Sequence, residues 1–309
     1  MKMQAACGDT AVANSRCIPG DGVADGGVHA AAVKGIGHAE GLSQMNTNRN
    51  VWALALAAWL ATTMVWGQDL LQGLDLKSPA MTRAEVTREE VVTRLNAVTR
   101  GSPADFTSMR LSGLDLSGLD FKGAILRDAR LNNANLRGAN LAGAVLDQAW
   151  LLNADLMGAN LKGASLFQAQ LIGATLDRAD LSGARAPGNF SRASLKHAKF
   201  VGASLGADMR NQSMGLLRGV FRGADLDGAD FSDADLSRVD LAFASLRGAN
   251  LTGADLTFAD LSGADLTGAT VTGANFEQAD VHSAKLKSLV GAEATNLNHA
   301  RNLANAVRG

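Results

Sequence analysis

A period of five residues constrains this chain more than any other feature. From Phe106 to Leu181 every fifth residue is Leu or Phe, sixteen centres without a gap, and from Phe221 to Leu286 all fourteen centres are Leu, Phe or Val. Ala stands two residues before the centre at every fifth position from Ala124 to Ala184, and again from Ala224 to Ala284 with Val239 as the exception. Asp or Asn often precedes the centre, as in Ala154-Asp155-Leu156 and Ala249-Asn250-Leu251, and Gly often lies two after it.

An α-helix does not fit this period. Five residues turn it by about 500°, so the centres would spiral around the axis. A plain strand fails as well, because its side chains alternate and an odd period would send successive Leu to opposite faces. The chain must turn a corner within each repeat, which resets the alternation. Leu and the Ala two before it then share one side of a short extended segment, with Asp or Asn facing out between them. Gly after the centre allows the dihedrals a corner needs and lets neighbouring coils approach. Each unit is too small to own a core, so stacking must supply it, and the expected fold is an all-β solenoid.

The run Ala129-Arg130-Leu131-Asn132-Asn133-Ala134-Asn135-Leu136-Arg137-Gly138-Ala139-Asn140-Leu141 resembles the pentapeptide repeat family, whose motif is A(D/N)LXX. The resemblance covers roughly two-thirds of the chain. It implies a right-handed quadrilateral β-helix with four pentapeptides per coil, a number that the period alone does not fix. About 34 repeats at a strand spacing near 4.8 Å give a stack roughly 40 Å long. Each buried Leu should stabilise it by about 1.5–3 kcal/mol, so the core needs neither metal nor disulfide. Some members of the family bind DNA gyrase or topoisomerase IV as elongated acidic dimers that mimic duplex DNA.

Net charge is −1 and charged residues make up 19%, so no global field calls for nucleic acid or an anionic membrane. The only cysteines, Cys7 and Cys17, lie ahead of the repeats, and their spacing is not a zinc signature. Residues 51–67 form an uncharged apolar stretch, short for a membrane span. Preceded by Met45 to Asn50 with Arg49, and ending in Val65 and Gly67, it reads as a secretory signal peptide cut before Gln68. An uncleaved anchor and a buried apolar segment are the other readings. A signal peptide places the protein in the periplasm or outside the cell; otherwise the expected location is the cytoplasm.

The chain divides into a disordered leader or overextended start at 1–44, a signal peptide at 45–67, a linker and capping helix at 68–103, and a first repeat block at 104–183. Phase-shifted repeats and a loop follow at 184–220, then a second block at 221–288 and a closing segment at 289–309. The short N-terminal capping helix is expected over 82–100, with Thr82 and Glu85 as a capping box and Val91, Leu95 and Val98 on one face. Between the blocks Phe190 follows Leu181 after nine residues, and the register returns at Phe221, which suggests a kink or a protruding loop.

Several outward positions of the first block are apolar: Ile125, Val145, Trp150, Leu152, Met157, Phe167 and Ile172 form a candidate protein-contact patch. Met209, Arg210, Met214, Leu217 and Arg218 are candidate contacts of the loop. In the second block Asp240, Asp260 and Asp280 would form one column if a coil holds twenty residues. Residues 104–205 carry eleven Lys and Arg against eight Asp, and 206–288 carry seven against twelve Asp and Glu. A flat carboxylate ladder rarely offers the six to eight oxygens that Ca²⁺ takes, so no metal and no cofactor is expected. No catalytic motif occurs in a credible context. The sequence therefore reads as a non-enzymatic rod that presents a lateral surface to an unknown protein partner or to a second copy. Direct contact with nucleic acid is not expected, and membrane contact only through 51–67 if it is uncleaved.

Overall fold

The structure is a computed structural model that describes residues 75–98, 102–207 and 217–308. All of these belong to one unit, Asp69–Gly309. The expectations for Cys7, Cys17, the 51–67 stretch, Met209, Arg210 and Met214 fall outside the described residues.

The repeat builds the same local structure each time. The residue before the centre bridges in parallel to its counterpart one coil away, as Arg130 does to Trp150 and Asp240 to Asp260. Most bridges join residues twenty apart, so four pentapeptides make a coil. The centre's N–H donates up the stack (Leu131 N to Trp150 O, 2.6 Å) and its carbonyl accepts from the next repeat's Ala (Ala134 N to Leu131 O, 3.0 Å). That second bond closes a β-turn at each corner. The residue two after the centre takes a left-handed φ near +60°, whether it is Gly138, Gly143, Asn133 or Phe243. A turn of this kind needs that conformation at its third residue, which explains the Gly preference and marks each larger occupant as locally strained.

Leu, Phe and Ala of the repeats fill the interior and form one continuous core with no break between the blocks. Polar backbone is satisfied along the stack and apolar side chains fill it across, so the described residues build a solenoid from bridges alone.

The phase shift is absorbed without breaking the ladder. Ala186, fully buried, takes a centre position, and a repeat of only four residues follows, tightened by Gly188 N donating to Ala186 O at 2.8 Å. The coil is thereby shortened to nineteen residues, as the Gln170–Asn189 bridge shows, and the next is lengthened, bridging Asn189 to Val220. Gly219 N donates to Leu205 O at 2.8 Å, so the lengthened coil closes at its base. Phe190 stacks on Phe221 at 4.7 Å and Phe200 on Phe231 at 4.8 Å, filling the core at this junction.

At the first coil, helix α1 (Pro79–Thr82) and helix α2 (Arg88–Asn96) pack on the solenoid. The helix that the sequence suggests over 82–100 is thus shorter and starts later. Its capping box is Thr87 with Glu90, not Thr82 with Glu85. Thr82 Oγ1 instead donates to Ser78 O at 3.0 Å, and Glu85 accepts from Arg110 N at 3.0 Å. Val91 of α2 is buried against the core. At the far end the pentapeptide register gives way to short 3₁₀ turns at Ala292–Ala294, Leu297–His299 and Leu303–Asn305, which still bridge back through Arg301 and Val307.

Candidate protein-interaction face

Four faces follow from the twenty-residue coil, and they divide the apolar candidates. Ile125, Val145 and Phe167 lie on one face, Trp150, Leu152 and Ile172 on the next, and Met157 on a third. Two of them have cationic partners: the Arg185 guanidinium sits 4.4 Å from the Phe167 ring centre, and Arg137 reaches the Met157 sulfur at 3.0 Å. The apolar set is therefore not one patch. Trp150, Leu152 and Ile172 remain together as a stripe.

That stripe belongs to a face with a distinct character along its length. Its bridging column runs Arg110, Arg130, Trp150, Gln170, Asn189, Val220, Asp240, Asp260, Asp280 and Arg301. It is basic at one end, apolar and neutral in the middle, and acidic toward the other. Beside that column runs a second one with Ser112, Asn132, Leu152, Ile172, Arg222, Ala242 and Ser262. Among the described repeats of regular length, the outward-pointing side chains that are nonetheless buried are Ser112, Asn132, Leu152, Gln170, Asp240 and Ala242, and in the shortened repeat Pro187 is buried on the neighbouring face. The first six are all on this face.

Two causes of that burial are visible. At the basic end, α1 lies over the face: Asn132 Nδ2 donates to Met81 O at 3.0 Å while Asn132 Oδ1 accepts from Leu152 N at 3.0 Å. At the acidic end Arg222 pairs with Asp240 at 2.9 Å and reaches Asp260 at 4.0 Å. Leu152, read from the sequence as an outward contact, is buried, because it packs in the column directly above Asn132. Trp150 and Ile172 are half-buried.

The acidic columns are structural first. Asp260 Oδ1 accepts from Ser262 N at 3.0 Å and from its hydroxyl at 2.6 Å, and Asp265 does the same with Thr267. Each carboxylate thus ties the turn that follows it. Burial raises the pKa of Asp265, but the Thr267 and Lys285 bonds outweigh it and hold the carboxyl below its usual range. Asp280 is likewise penalised by burial and lowered overall by Asn302, the His282 N–H and Arg301. Among the described residues no cluster of His, Cys, Asp and Glu is arranged to hold a metal ion.

Sequence reasoning passed over two side chains. Phe243 is 66% exposed and Phe258 44%, and both occupy the left-handed corner position. They stand on the two corners that border the acidic part of the same face, one coil apart. Phe258 is covered on one side by Arg238, 4.5 Å from its ring centre, and Phe243 lies over Gly263. Their signal was present: a bulky aromatic where Gly, Asn or a polar residue ordinarily sits. Of the loop candidates, Leu217 and Arg218 are half-buried at the base of the lengthened coil.

The twenty-residue coils and the A(D/N)LXX corners carry the family assignment, and the family model for pentapeptide repeats matches in eight copies, within 104–188 and again within 220–287. The chain is a pentapeptide repeat protein. It is 30% identical to HetL, a pentapeptide repeat protein involved in heterocyst differentiation regulation from the cyanobacterium Nostoc, over 72% of this chain and 97% of that one, with a TM-score of 0.33. QnrB1, a plasmid-mediated fluoroquinolone resistance protein, aligns at 19% identity over 64% of this chain and 90% of that one, with a TM-score of 0.35. A pentapeptide repeat protein of the Arabidopsis thaliana thylakoid lumen is 31% identical over 39% of this chain and 70% of that one, with a TM-score of 0.21. Against curated proteins the comparison finds no match. The fold is accordingly a right-handed β-helix solenoid. Among its described residues no helix is long and apolar enough to cross a membrane.

Proposed function

We propose that this pentapeptide repeat protein is a non-enzymatic interaction scaffold that binds a protein partner along the Trp150 face, with α2 serving as the cap of its first coil. The observation that carries this reading is the gathering of the outward side chains that are buried onto one face, beside half-buried Trp150 and Ile172 and exposed Phe243. A solenoid needs none of this for folding, because its core is complete without it. Export through the 45–67 segment belongs to the same proposal, supported by the charge and apolar pattern of that segment.

The alternative, a duplex-mimicking modulator of gyrase or topoisomerase IV, takes its support from the Asp columns. Their charge argues for the first reading. Residues 206–288 carry a net charge of −5 by formal count. Spread over about 17 Å of axis, that is about half the density of duplex DNA, which carries one charge per ~1.7 Å. The Asp side chains are also engaged with their own turns.

The test joins location to binding. Fractionation with N-terminal mass spectrometry should find a mature chain beginning near Gln68 outside the cytoplasm. An intact cytosolic chain would remove export and make a supercoiling assay the next step. Quantitative cross-linking in the native host should lose its lateral cross-links in the Trp150→Ser/Ile172→Ser variant; cross-links that persist unchanged remove the face from consideration.

A further inference from the structure

The Trp150 face is complementary to itself when one copy is reversed. We infer that two copies of the chain pair face to face, antiparallel, about a two-fold axis that passes through Asn189. This rests on the reading of the face as a binding surface and names the occupant as a second copy.

The register follows from counting coils away from Asn189 in both directions along the bridging column. Four coils away, Arg110 meets Asp280. Three coils away, Arg130 meets Asp260, and two coils away Trp150 meets Asp240. An isologous interface makes each of these contacts twice. One register therefore satisfies two independent features. The basic end of each copy lies on the acidic end of the other. The exposed Phe243 comes opposite the coil that carries Trp150 and Leu152. A parallel arrangement would place Asp on Asp and Arg on Arg.

The shapes agree with this register. The faces are flat ladders of parallel bridges without a protruding strand edge. The raised α1 segment, which lies over Asn132, comes opposite Ser262 and Gly263, where the side chains are short. Arg110 is already engaged by Glu85 at 3.4 Å, so the Arg130–Asp260 contact is the stronger of the two charge pairs. Asp260 is only at the margin of its own pairing with Arg222, at 4.0 Å.

The size of the face sets the strength. About 38 Å of ladder roughly 10 Å wide gives a footprint near 400 Å² per copy. That is about half of the ~800 Å² per partner of a standard interface, so the pairing is reversible and depends on concentration.

Sedimentation velocity of the full chain across about 1–200 µM measures it. The wild type should pass from monomer to dimer in that range. Arg130→Asp and Asp260→Arg alone should each weaken the dimer at least about tenfold, and the double variant Arg130→Asp/Asp260→Arg should restore it, since each new Asp then meets a new Arg. Phe243→Ser should weaken it by several-fold. Circular dichroism of each variant establishes that the solenoid is folded. A wild type that stays monomeric throughout, a dimer indifferent to the single charge reversals, or a double variant as weak as the singles overturns the proposal. If the wild type is monomeric while Trp150→Ser/Ile172→Ser still abolishes lateral cross-links in the host, the binding face stands and the occupant is a foreign protein. If both fail, the face itself is wrong.

Discussion

The two repeat blocks share one backbone and satisfy its outward polar positions with a different balance of amides and carboxylates. In the first block Asn residues stack between coils: Asn135 donates to Asp115 at 2.9 Å, Asn140 to Asp120 at 2.7 Å, and Asn160 to Asn140 at 3.0 Å. An amide has both donor and acceptor, so it can bind its own turn with the oxygen and its neighbour below with the nitrogen. In the second block one column carries Asp240, Asp260 and Asp280 in succession and another sets Asp235 under Asp255, and a carboxylate has nothing to donate. There Asp230, Asp235, Asp255, Asp260 and Asp265 are tied within their own turns by a Ser or Thr hydroxyl two residues on, while Asp240 and Asp280 accept the backbone N–H of Ala242 and His282. Local locking is added to the cross-coil bonds that remain, such as Asn250 donating to Asp230 at 3.1 Å, with Arg222, Lys285 and Arg301 set against the repulsion. One repeat can thus present a neutral side or an acidic one without altering its interior.

If the interior is indifferent to this choice, the largest effects should be equal in the two blocks. Leu156→Asp and Leu251→Asp each bury an unpaired charge in a fully buried site and should cost more than about 4 kcal/mol, abolishing cooperative unfolding near that coil. Chemical denaturation followed by circular dichroism compares them, and a marked difference would mean that the two cores are not equivalent. Acid should then act where a lowered carboxylate ties a turn, at Asp180 in the first block and at Asp265 and Asp280 in the second. Asp265 and Asp280 have lowered folded pKa values, so their stabilisation is complete above about pH 4 and is lost as pH falls through those values. Hydrogen exchange should show the coils of Asp265 and Asp280 opening before those of Asn140 and Asn160, whose amides do not titrate. Earlier opening around Asn140 would refute the local-lock account.

Smaller changes sharpen the same contrast. Gly263→Ala places a methyl 2.6 Å from the Phe243 ring at a φ of +66° and should cost about 1–2 kcal/mol, part of it recovered in a Phe243→Gly background. Thr267→Val should cost about 1 kcal/mol at neutral pH and nothing once Asp265 is protonated. Phe243→Gly alone should raise stability by about 1 kcal/mol by relieving a left-handed aromatic. Thermal melts resolve all three, and a destabilised Phe243→Gly would show that the ring serves folding.

The interior was legible in the sequence because period and burial coincide: Ala124 through Ala184 and the Leu between them are buried as the register requires. The columns were legible once the coil length was in hand, and Asp240, Asp260 and Asp280 do stack. Three things were not. Thr82-Arg83-Ala84-Glu85 and Thr87-Arg88-Glu89-Glu90 both spell a capping box, and only the Glu85 contact with Arg110 decides between them. Ala186 replaces Leu at a centre, so its repeat looked like a gap until the bridge from Gln170 to Asn189 located it. The proposed face was hidden because what sets it apart lies over it, α1 at one end and Arg222 at the other, which no periodicity encodes.

The lengthened coil has a use beyond packing. Asn189 and Val220 bridge as if the residues between them were an ordinary turn of the helix, and the coils on either side keep their register. The wall therefore behaves like masonry into which a length of foreign chain can be let at one corner without disturbing the courses above and below. An engineer wishing to graft a peptide epitope or a small domain onto this scaffold would open it there, between Leu205 and Gly219, whose backbone bond closes the base of the lengthened coil.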